Sequence, residues 1–557
     1  MKNAKKRPAR AAALPLAAGI ILLLTLLLQT VSCGSSGGAT ELSTPDGTTG
    51  EPLPEREPLT LIKDGATEFT LVIGRRAPFF CDKMCYEISD AFAALGAEIA
   101  VKKDYDLFLD SLDLMLRSKY LLELESLAKG HEPGRFLDAS EVENSYDRNS
   151  PFEILVGDTD RDASIRAKDE LKEENSYIVR VDGNKIVINA NSNAALRLAT
   201  DVFISEVLGT GGTESDSRGK IEVLDFEKKG VAGSGPEPAE KLFFGMTQKQ
   251  IDDSFADLLD GLFTGKTKEE IYRADIGGNI AMHFPEIIYK DGQYRAYYIS
   301  YASPVAGAPS TGLAVSDNGF DWKYERQIID PDSSFDSTGC GFAGVFEDED
   351  GILYLAYEGS GKNSVGQVCL AVSFDGGTSW HKEGIILNNA DLMLSWCNYN
   401  VGTPDLYKAG DVWYLTFHGF GTGGGNGGCQ IGVAYGPSLR DLTVPEDPVL
   451  PTEKGTPWSG TTGRRDVLFC GGWYYMVYEI STEAVSGAGY GGAHWSHMFA
   501  RSRDMIEWET TSGPQLVQPQ AGFGNDGPCW CVADGKLYVF MRNVTNCTTA
   551  VSLVPTD

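Results

Sequence analysis

The sequence predicts a multidomain chain in which a small α+β domain is followed by an all-β five-bladed propeller. Three observations predict it. From about residue 276 one pattern returns five times at a spacing of roughly 50–65 residues: a strand, a Gly turn, an aromatic-rich strand and a third alternating strand. Upstream, residues 58–228 mix short apolar strands with helical periodicity. The 64 glycines supply the many tight turns that a repeated all-β fold needs.

The first 33 residues read as a targeting signal. Lys2, Lys5, Lys6, Arg7 and Arg10 form a basic start, Ala11 to Leu28 is an apolar stretch, and Thr30-Val31-Ser32-Cys33 follows. The stretch resembles a bacterial lipoprotein signal, which implies Cys33 as the lipidated residue; the alternative is an uncleaved membrane anchor. Both place the rest of the chain outside the membrane, tethered to its extracellular face. Diacylation holds a protein firmly where a single lipid chain does not. Residues 34–57, rich in Gly, Ser, Thr and Pro, read as a flexible tether.

In the α+β domain, residues 58–228, Phe69 to Ile73 and Phe152 to Gly157 read as strands, and Cys81 to Leu95 as a helix. Tyr177 to Ile188 reads as a hairpin turning at Asp182-Gly183-Asn184, and Asn193 to Phe203 as an amphipathic helix. This stretch resembles the small α+β domain placed before the catalytic domains of several bacterial glycosidases, which implies an accessory role. Residues 229–275 read as a linker with a helix over Thr247 to Leu262, and 276–557 as the propeller. The fifth repeat ends before a fourth strand, so a segment upstream of residue 287 must complete it.

Length suggests two or three domains, and 42% hydrophobic with 23% charged residues is the composition of a folded protein. A formal charge of −30 excludes a nucleic-acid backbone as ligand, because nothing here would neutralise phosphates. Of the 11 cysteines, ten follow Cys33 and none forms a Cys-x-x-Cys pair, so a zinc–thiolate site is not expected. Cys81 and Cys85 read as core packing.

Asp317 to Trp322 and Ser373 to Trp380 follow third strands. The second fits the aspartate-box turn, Ser-x-Asp-x-Gly-x-x-Trp, and the first is a relative of it. Asp and Gly make that turn while Trp packs beneath, so these boxes support the propeller and carry no chemistry.

In a propeller the inner strand starts at the central funnel and the second strand returns to it. Candidate residues therefore sit just before strand one and just after strand two. The first location holds His283, Glu286, Asp405, Asp466 and Asp526, with Arg464 and Arg465 alongside. The second collects Ile299, Glu358, His418, Glu479 and Arg542, which align in the repeat. Four of those five are ionisable at a strand end that otherwise favours apolar residues, and polar groups converging on one mouth are what a binding site requires. The third strand of blade four is preceded by Tyr490, His494, Trp495 and His497 on the same face. Histidine moves protons near neutral pH or binds metal. Trp396, Tyr399 and Trp458 lie in long loops and are candidates for stacking on a sugar face.

With these positions laid out, the propeller resembles the five-bladed glycosidases of families 43, 32 and 117. That implies an oligosaccharide or glycoconjugate as partner and a glycoside hydrolase free of any required cofactor. The N-terminal signal places it at the cell surface, and Gly-rich loops such as Gly419 to Gly428, narrowing the funnel to one terminal residue, point to exo action. Typical family-43 members carry a blade-one Asp before Pro as base and a blade-three Glu before Gly-Pro as acid. Here Phe284 and Gly402 stand at those positions. Catalysis on this reading falls to other residues: His283, Glu286, Asp405, Asp466, Glu479 and Asp526. Glu358, His418, Arg464, Arg465, Tyr490, His494, Trp495, His497 and Arg542 would bind substrate. His283-x-x-Glu286 also resembles the His-x-x-Asp pair of propeller-type amino-sugar deacetylases, which implies an alternative site for a divalent cation on His283, Glu286 and His418. A third reading is a glycan-binding surface protein without turnover.

Overall fold

The period-two alternation of each repeat becomes an antiparallel blade in the computed structural model. The structure describes residues 57–557 except 75–76, 105–149, 210–219, 233–245, 277–281, 291, 303–304, 306, 320, 362–365, 393, 422–428, 452–460, 482–494, 513–515, 521–525, 534, 543–547 and 557. Blade one is His283–Lys290, Gln293–Ser300, Ser310–Ser316 and Lys323–Ile329, each strand paired with the next. Blade two runs Gly339–Glu347, Leu353–Ser360, Gln367–Ser373 and His381–Leu387; blade three runs Asn400–Ala409, Val412–Phe420, Gln430–Ser438 and Asp441–Thr443. Blade four is Thr461–Cys470, Trp473–Ser481, Trp495–Ser502 and Trp508–Thr510, with Leu516–Gln520 added beside its third strand.

Blade five takes Asp526–Ala533, Lys536–Arg542 and Thr548–Pro555 from the C-terminal end, and its outer strand from upstream. Thr267–Ile276 pairs antiparallel with Thr548–Pro555. The ring therefore starts at Thr267, inside the segment 229–275 read as a linker. Closing a ring with a strand from the other end of the repeat covers an edge that would otherwise stay open.

Among the described residues, three α-helices of the α+β domain, α1 (Phe79–Ala94), α2 (Asp162–Glu170) and α3 (Asn193–Val202), precede helix α4 (Gln248–Thr264), which leads into that closing strand. α4 starts on a capping box, Thr247 with Gln250, and stops at Gly265, whose φ of 73° is left-handed. Its buried face, Ile251, Phe255, Leu259 and Leu262, packs with Leu468, Tyr475, Trp530 and Leu553 of blades four and five.

The aspartate boxes are structural turns. In blade two the Ser373 hydroxyl and the backbone N–H groups of Thr378 and Ser379 donate to Asp375, and the Trp380 indole donates to the Gly377 carbonyl at 3.2 Å. Blade four carries a turn one residue shorter, with the spacing of blade one, at Ser502 to Trp508, where Asp504 accepts from Ile506 and Glu507 and the Trp508 indole donates to the Met505 carbonyl at 2.9 Å. Sequence reading passes over it because Met505, at φ 66°, takes the left-handed position where Gly is expected.

The α+β domain is a six-stranded sheet in the order Ala100–Lys103, Thr70–Ile73, Glu153–Val156, Lys185–Ala190, Ser176–Asp182 and Glu227–Val231. The first four strands are parallel, and Ser176–Asp182 runs antiparallel to both of its neighbours, Lys185–Ala190 and Glu227–Val231. Cys81 and Cys85 lie buried as free thiols within α1. Among the described residues no helix is long and apolar enough to cross a membrane.

One apolar cluster runs from this domain into blades two and three, and α1 forms the seam. Phe79 meets Tyr354 edge-on at 5.6 Å, Tyr86 stacks on His381 at 4.5 Å, and Lys83 donates to the Asp350 carbonyl at 2.7 Å. Arg440 of blade three closes the seam. Its guanidinium lies 3.7 Å over the Phe79 ring, donates to both oxygens of Asp82 at 3.1 Å, and also reaches the Ala77 carbonyl and Glu383. Arg440→Ala removes one of two cations on the buried Asp82, leaving Lys103, and is expected to cost about 1–2 kcal/mol. Thermal unfolding checks this: the midpoint falls and the α+β domain begins to melt apart from the ring, whereas an unchanged midpoint shows the seam to be loose.

Candidate active site

Four inner strands break register at the same place, His283/Glu286, Gly341/Gly344, Gly402/Asp405 and Asp526/Cys529, and blade four breaks one residue earlier, at Thr462/Arg465, so that its motif of four is Gly463 to Asp466. Such bulges turn a strand and re-aim its side chains. At the second residue of the motif Phe284, Phe342 and Thr403 adopt left-handed φ values of 51°, 53° and 41°, and Gly527 one of 63°. A non-glycine residue held there costs of order 1–3 kcal/mol, so the rest of the ring must hold the shape.

The fourth residue of the motif builds an inner ring: Glu286, Gly344, Asp405, Asp466 and Cys529. Neighbouring blades are tied through it. The Trp530 N–H of blade five donates to Asp466 of blade four at 2.7 Å, and the Ile287 N–H of blade one reaches Cys529 Sγ at 3.2 Å. Blade two has glycine here because a Cβ on Gly344 would lie 2.6 Å from the Pro404 carbonyl.

Arg464 crosses this ring. Its side chain is 0% exposed; Nη2 donates to Glu286 at 2.5 Å and to the Ala343 carbonyl at 3.0 Å. Its backbone N–H donates to Glu479 at 2.8 Å, and the other Glu479 oxygen takes the Gly527 N–H at 2.6 Å. Arg465, also 0% exposed, is spent on blade three: it donates to the Gly463 carbonyl at 3.0 Å, to the Thr416 hydroxyl at 3.1 Å and to the Thr403 carbonyl.

Three acids packed round these cations shift upward. Burial and the Asp466 charge push Asp405 up to about 8. Burial also raises Asp466, to about 6, against the pull of the Trp530 N–H. Glu286 goes up for the same reason of burial, with Asp466 and Asp405 adding and Arg464 opposing. Carboxylates this close share protons rather than ionise together.

Nearer the mouth the surface is mixed. Phe284 and Phe342, both half-buried, meet at 4.8 Å, and His283 lies edge-on to the exposed Tyr301 ring at 5.9 Å. Opposite in kind is a polar group from blades two and three. Glu358, half-buried, accepts the Thr403 N–H at 3.0 Å and the Asn400 amide at 3.5 Å. His418 donates from Nε2 to the Asn400 oxygen at 2.6 Å and accepts the Thr403 hydroxyl on Nδ1 at 2.8 Å. Burial and the Arg465 charge hold His418 down to about 3, so it is neutral. Burial pushes Glu358 up to about 7.

Residues 285–418 match the glycosyl hydrolases family 32 N-terminal domain. The matched stretch runs from the blade-one bulge to His418 and contains Glu286, Glu358 and Asp405. No curated protein matches the sequence. Among solved structures it is similar to a glycoside hydrolase at 18% identity, over 53% of this protein and 94% of the other, with a TM-score of 0.44. BT0996 in its RGII complex gives 18%, 55%, 96% and 0.43, and a thermostable family-43 glycoside hydrolase 16%, 50%, 91% and 0.40.

Several expected roles change. Arg464 and Arg465 are not substrate-binding surface groups, because both are buried and bonded within the ring. Glu479 does not remain available for acid–base work, since each of its oxygens takes a backbone N–H. Trp495 and His497 are buried inside blade four, and burial holds His497 down to about 3. The cation set His283, Glu286 and His418 does not fit a metal, because His418 has both ring nitrogens engaged and Glu286 is bonded to Arg464. Glu286, Asp466 and Cys529 do approach within 4.8 Å of one another. Each of them already meets Arg464 or a backbone N–H, so they offer no free ligand set either.

Tyr490, His494, Trp458, Cys33 and the side chains of Asp526 and Arg542 lie outside the described residues. Sequence reading missed Asn400, Thr403 and Phe342. The repeat alignment marks Thr403 and Phe342 as bulge residues, but no sequence signal marks Asn400.

Two outcomes are expected. Arg464→Met strands Glu286 in the ring and is expected to cost about 3–5 kcal/mol in chemical denaturation; a neutral result would remove Arg464 from the axis. Asp405 binds its proton more tightly folded, at about 8, than unfolded, at about 4. Its stabilising contribution is therefore full below pH 4 and lost as pH rises through 8. Asp405→Asn is expected to flatten the decline of the unfolding midpoint between pH 5 and 8, and an unaltered slope would refute the assignment.

Proposed function

We propose that this protein is a glycoside hydrolase whose carboxyl groups, gathered at the propeller funnel, hydrolyse a glycosidic bond without a metal. One observation carries the reading: Glu286, Glu358, Asp405 and Asp466, one from each of blades one to four, gather at the inner strand ends, where burial raises each of them. Asp466 at about 6, Glu358 at about 7 and Asp405 at about 8 provide both acid and base forms at one pH, with Glu286 raised beside them. Glycoside hydrolysis requires that division between a proton donor and an ionised partner. The family 32 match over residues 285–418 supports the same class. In this reading the enzyme acts on chain ends and is held at the outer face of the cell membrane through Cys33, which the basic and apolar N-terminal pattern supports.

A second reading has its own support. Phe284 and Phe342 put an apolar surface on the funnel where a stacking sugar face would rest. A glycan-binding protein without turnover would keep that surface.

The deciding assay incubates the protein with nitrophenyl glycosides and N-acetylated amino sugars, with and without EDTA. The expected result is aglycone release that EDTA leaves unchanged. Acetate release that EDTA abolishes would overturn the proposal, and glycan binding without any release would replace it with the second reading.

A further inference from the structure

Resting on the hydrolase reading, the geometry points to Glu358 as the group that protonates the leaving oxygen, with Asn400 and His418 as positioning residues behind it. The other acids of the ring are tied down. Glu286 is bonded to Arg464, Asp466 takes the Trp530 N–H, and Glu479 has both oxygens on backbone donors. Asp405 and Asp466 are also nearly sealed, at 3% and 6% exposure. Glu358 alone among these five is not fully buried as a residue.

The space for its carboxyl group is built by two glycines. A Cβ on Gly402 would lie 2.0 Å from Glu358 Oε2, and one on Gly366 would lie 2.7 Å from Oε1. Any side chain at either place displaces the acid. Oε2 accepts the Thr403 N–H, which the left-handed bulge aims at it, so the proton belongs on Oε1. The Asn400 amide faces Oε1 at 3.5 Å, and its orientation is set from the far side: the amide oxygen is taken by His418 Nε2–H. That arrangement works only with neutral His418 in one tautomer, which the Thr403 hydroxyl enforces by donating to Nδ1. Burial, with no cation among the described residues in direct contact and Arg465 the only charge opposing, then pushes the carboxyl group up to about 7.

The step balances as hydrolysis. The proton leaves Glu358 for the glycosidic oxygen as the bond from that oxygen to the anomeric carbon breaks, and the bonding pair stays on the oxygen. Water gives its hydroxyl group to the anomeric carbon and its remaining proton to the Glu358 carboxylate, which restores the acid.

The test compares the full-length protein with Glu358→Gln and Glu358→Asp on matched phenyl and dinitrophenyl glycosides of common hexoses and pentoses. Dinitrophenol leaves without a proton; phenol needs one. Glu358→Gln is expected to lower kcat/KM for the phenyl glycoside about 100-fold or more beyond its effect on the dinitrophenyl glycoside. The alkaline limb of the pH profile, with its midpoint near 7 in the parent, is expected to vanish with it. Glu358→Asp, which keeps the acid and retracts it by one methylene, is expected to keep the limb and lose rate chiefly on the phenyl substrate. Equal losses on both leaving groups, or a limb that persists in Glu358→Gln, would overturn the role of Glu358 while leaving a hydrolase in place. A parent protein that cleaves neither substrate of any pair would bring down the hydrolase reading and this inference together.

Discussion

A guanidinium sealed inside a β-propeller has to be answered by charge, and among the described residues Arg464 is answered at Nη2, its buried Nε and Nη1 having no hydrogen-bond partner there. Its side chain reaches Glu286 in blade one and the Ala343 carbonyl in blade two, while its backbone is held by Glu479, which also grips blade five at Gly527. Removing either member of a buried pair is costly, so the pair fixes blade positions more than it adds net stability. The protonation of Asp405 and Asp466 follows from the same arrangement. With one arginine engaged by Glu286 and the other spent on blade three, the remaining carboxyl groups keep a proton among themselves.

The bulges translate this axis into a surface. A regular inner strand would send alternate side chains into the faces of its own blade. The register break lets one motif of four residues serve two depths, with the fourth residue in the inner ring and the second nearer the mouth. Where a blade places glycine at the first position, as at Gly402 and Gly463, the acid at the end of a second strand folds into the space. Glu358 enters the space of Gly402 in the next blade and Glu479 that of Gly463 in its own, and the two end differently. Glu479 meets two N–H groups, whereas Glu358 meets one N–H and a distant amide, and is not fully buried as a residue.

The α+β domain bears on this indirectly. Its helix α1 shares a continuous apolar cluster with blades two and three, the blades that supply Glu358, Asn400, Thr403 and His418. Arg440 and Lys83 anchor the seam through directed contacts rather than through apolar area alone. A polar cluster that depends on contacts of about 3 Å between two blades benefits from a buttress on the outside of those blades.

The five repeats were legible because strand alternation, Gly turns and aspartate boxes are local, and each states its own backbone geometry. The need for an upstream closing strand followed from counting strands in the fifth repeat, and the positions lining the funnel followed from aligning the repeats. What each residue does there was not legible. Glu358, His418 and Glu479 occupy one aligned position, yet one is a bracketed acid, one a neutral positioning group and one an anchor. Their partners lie in other strands, many residues away or in the next blade. Arg464 and Arg465 read as funnel-facing charges and are instead the buried frame. Sequence by itself determined the blades, their number and the places where chemistry would gather, because those rest on short-range pattern. Tertiary structure decided which carboxyl groups are tied and which remains open, because that depends on which backbone donors neighbouring blades bring within about 3 Å of each oxygen.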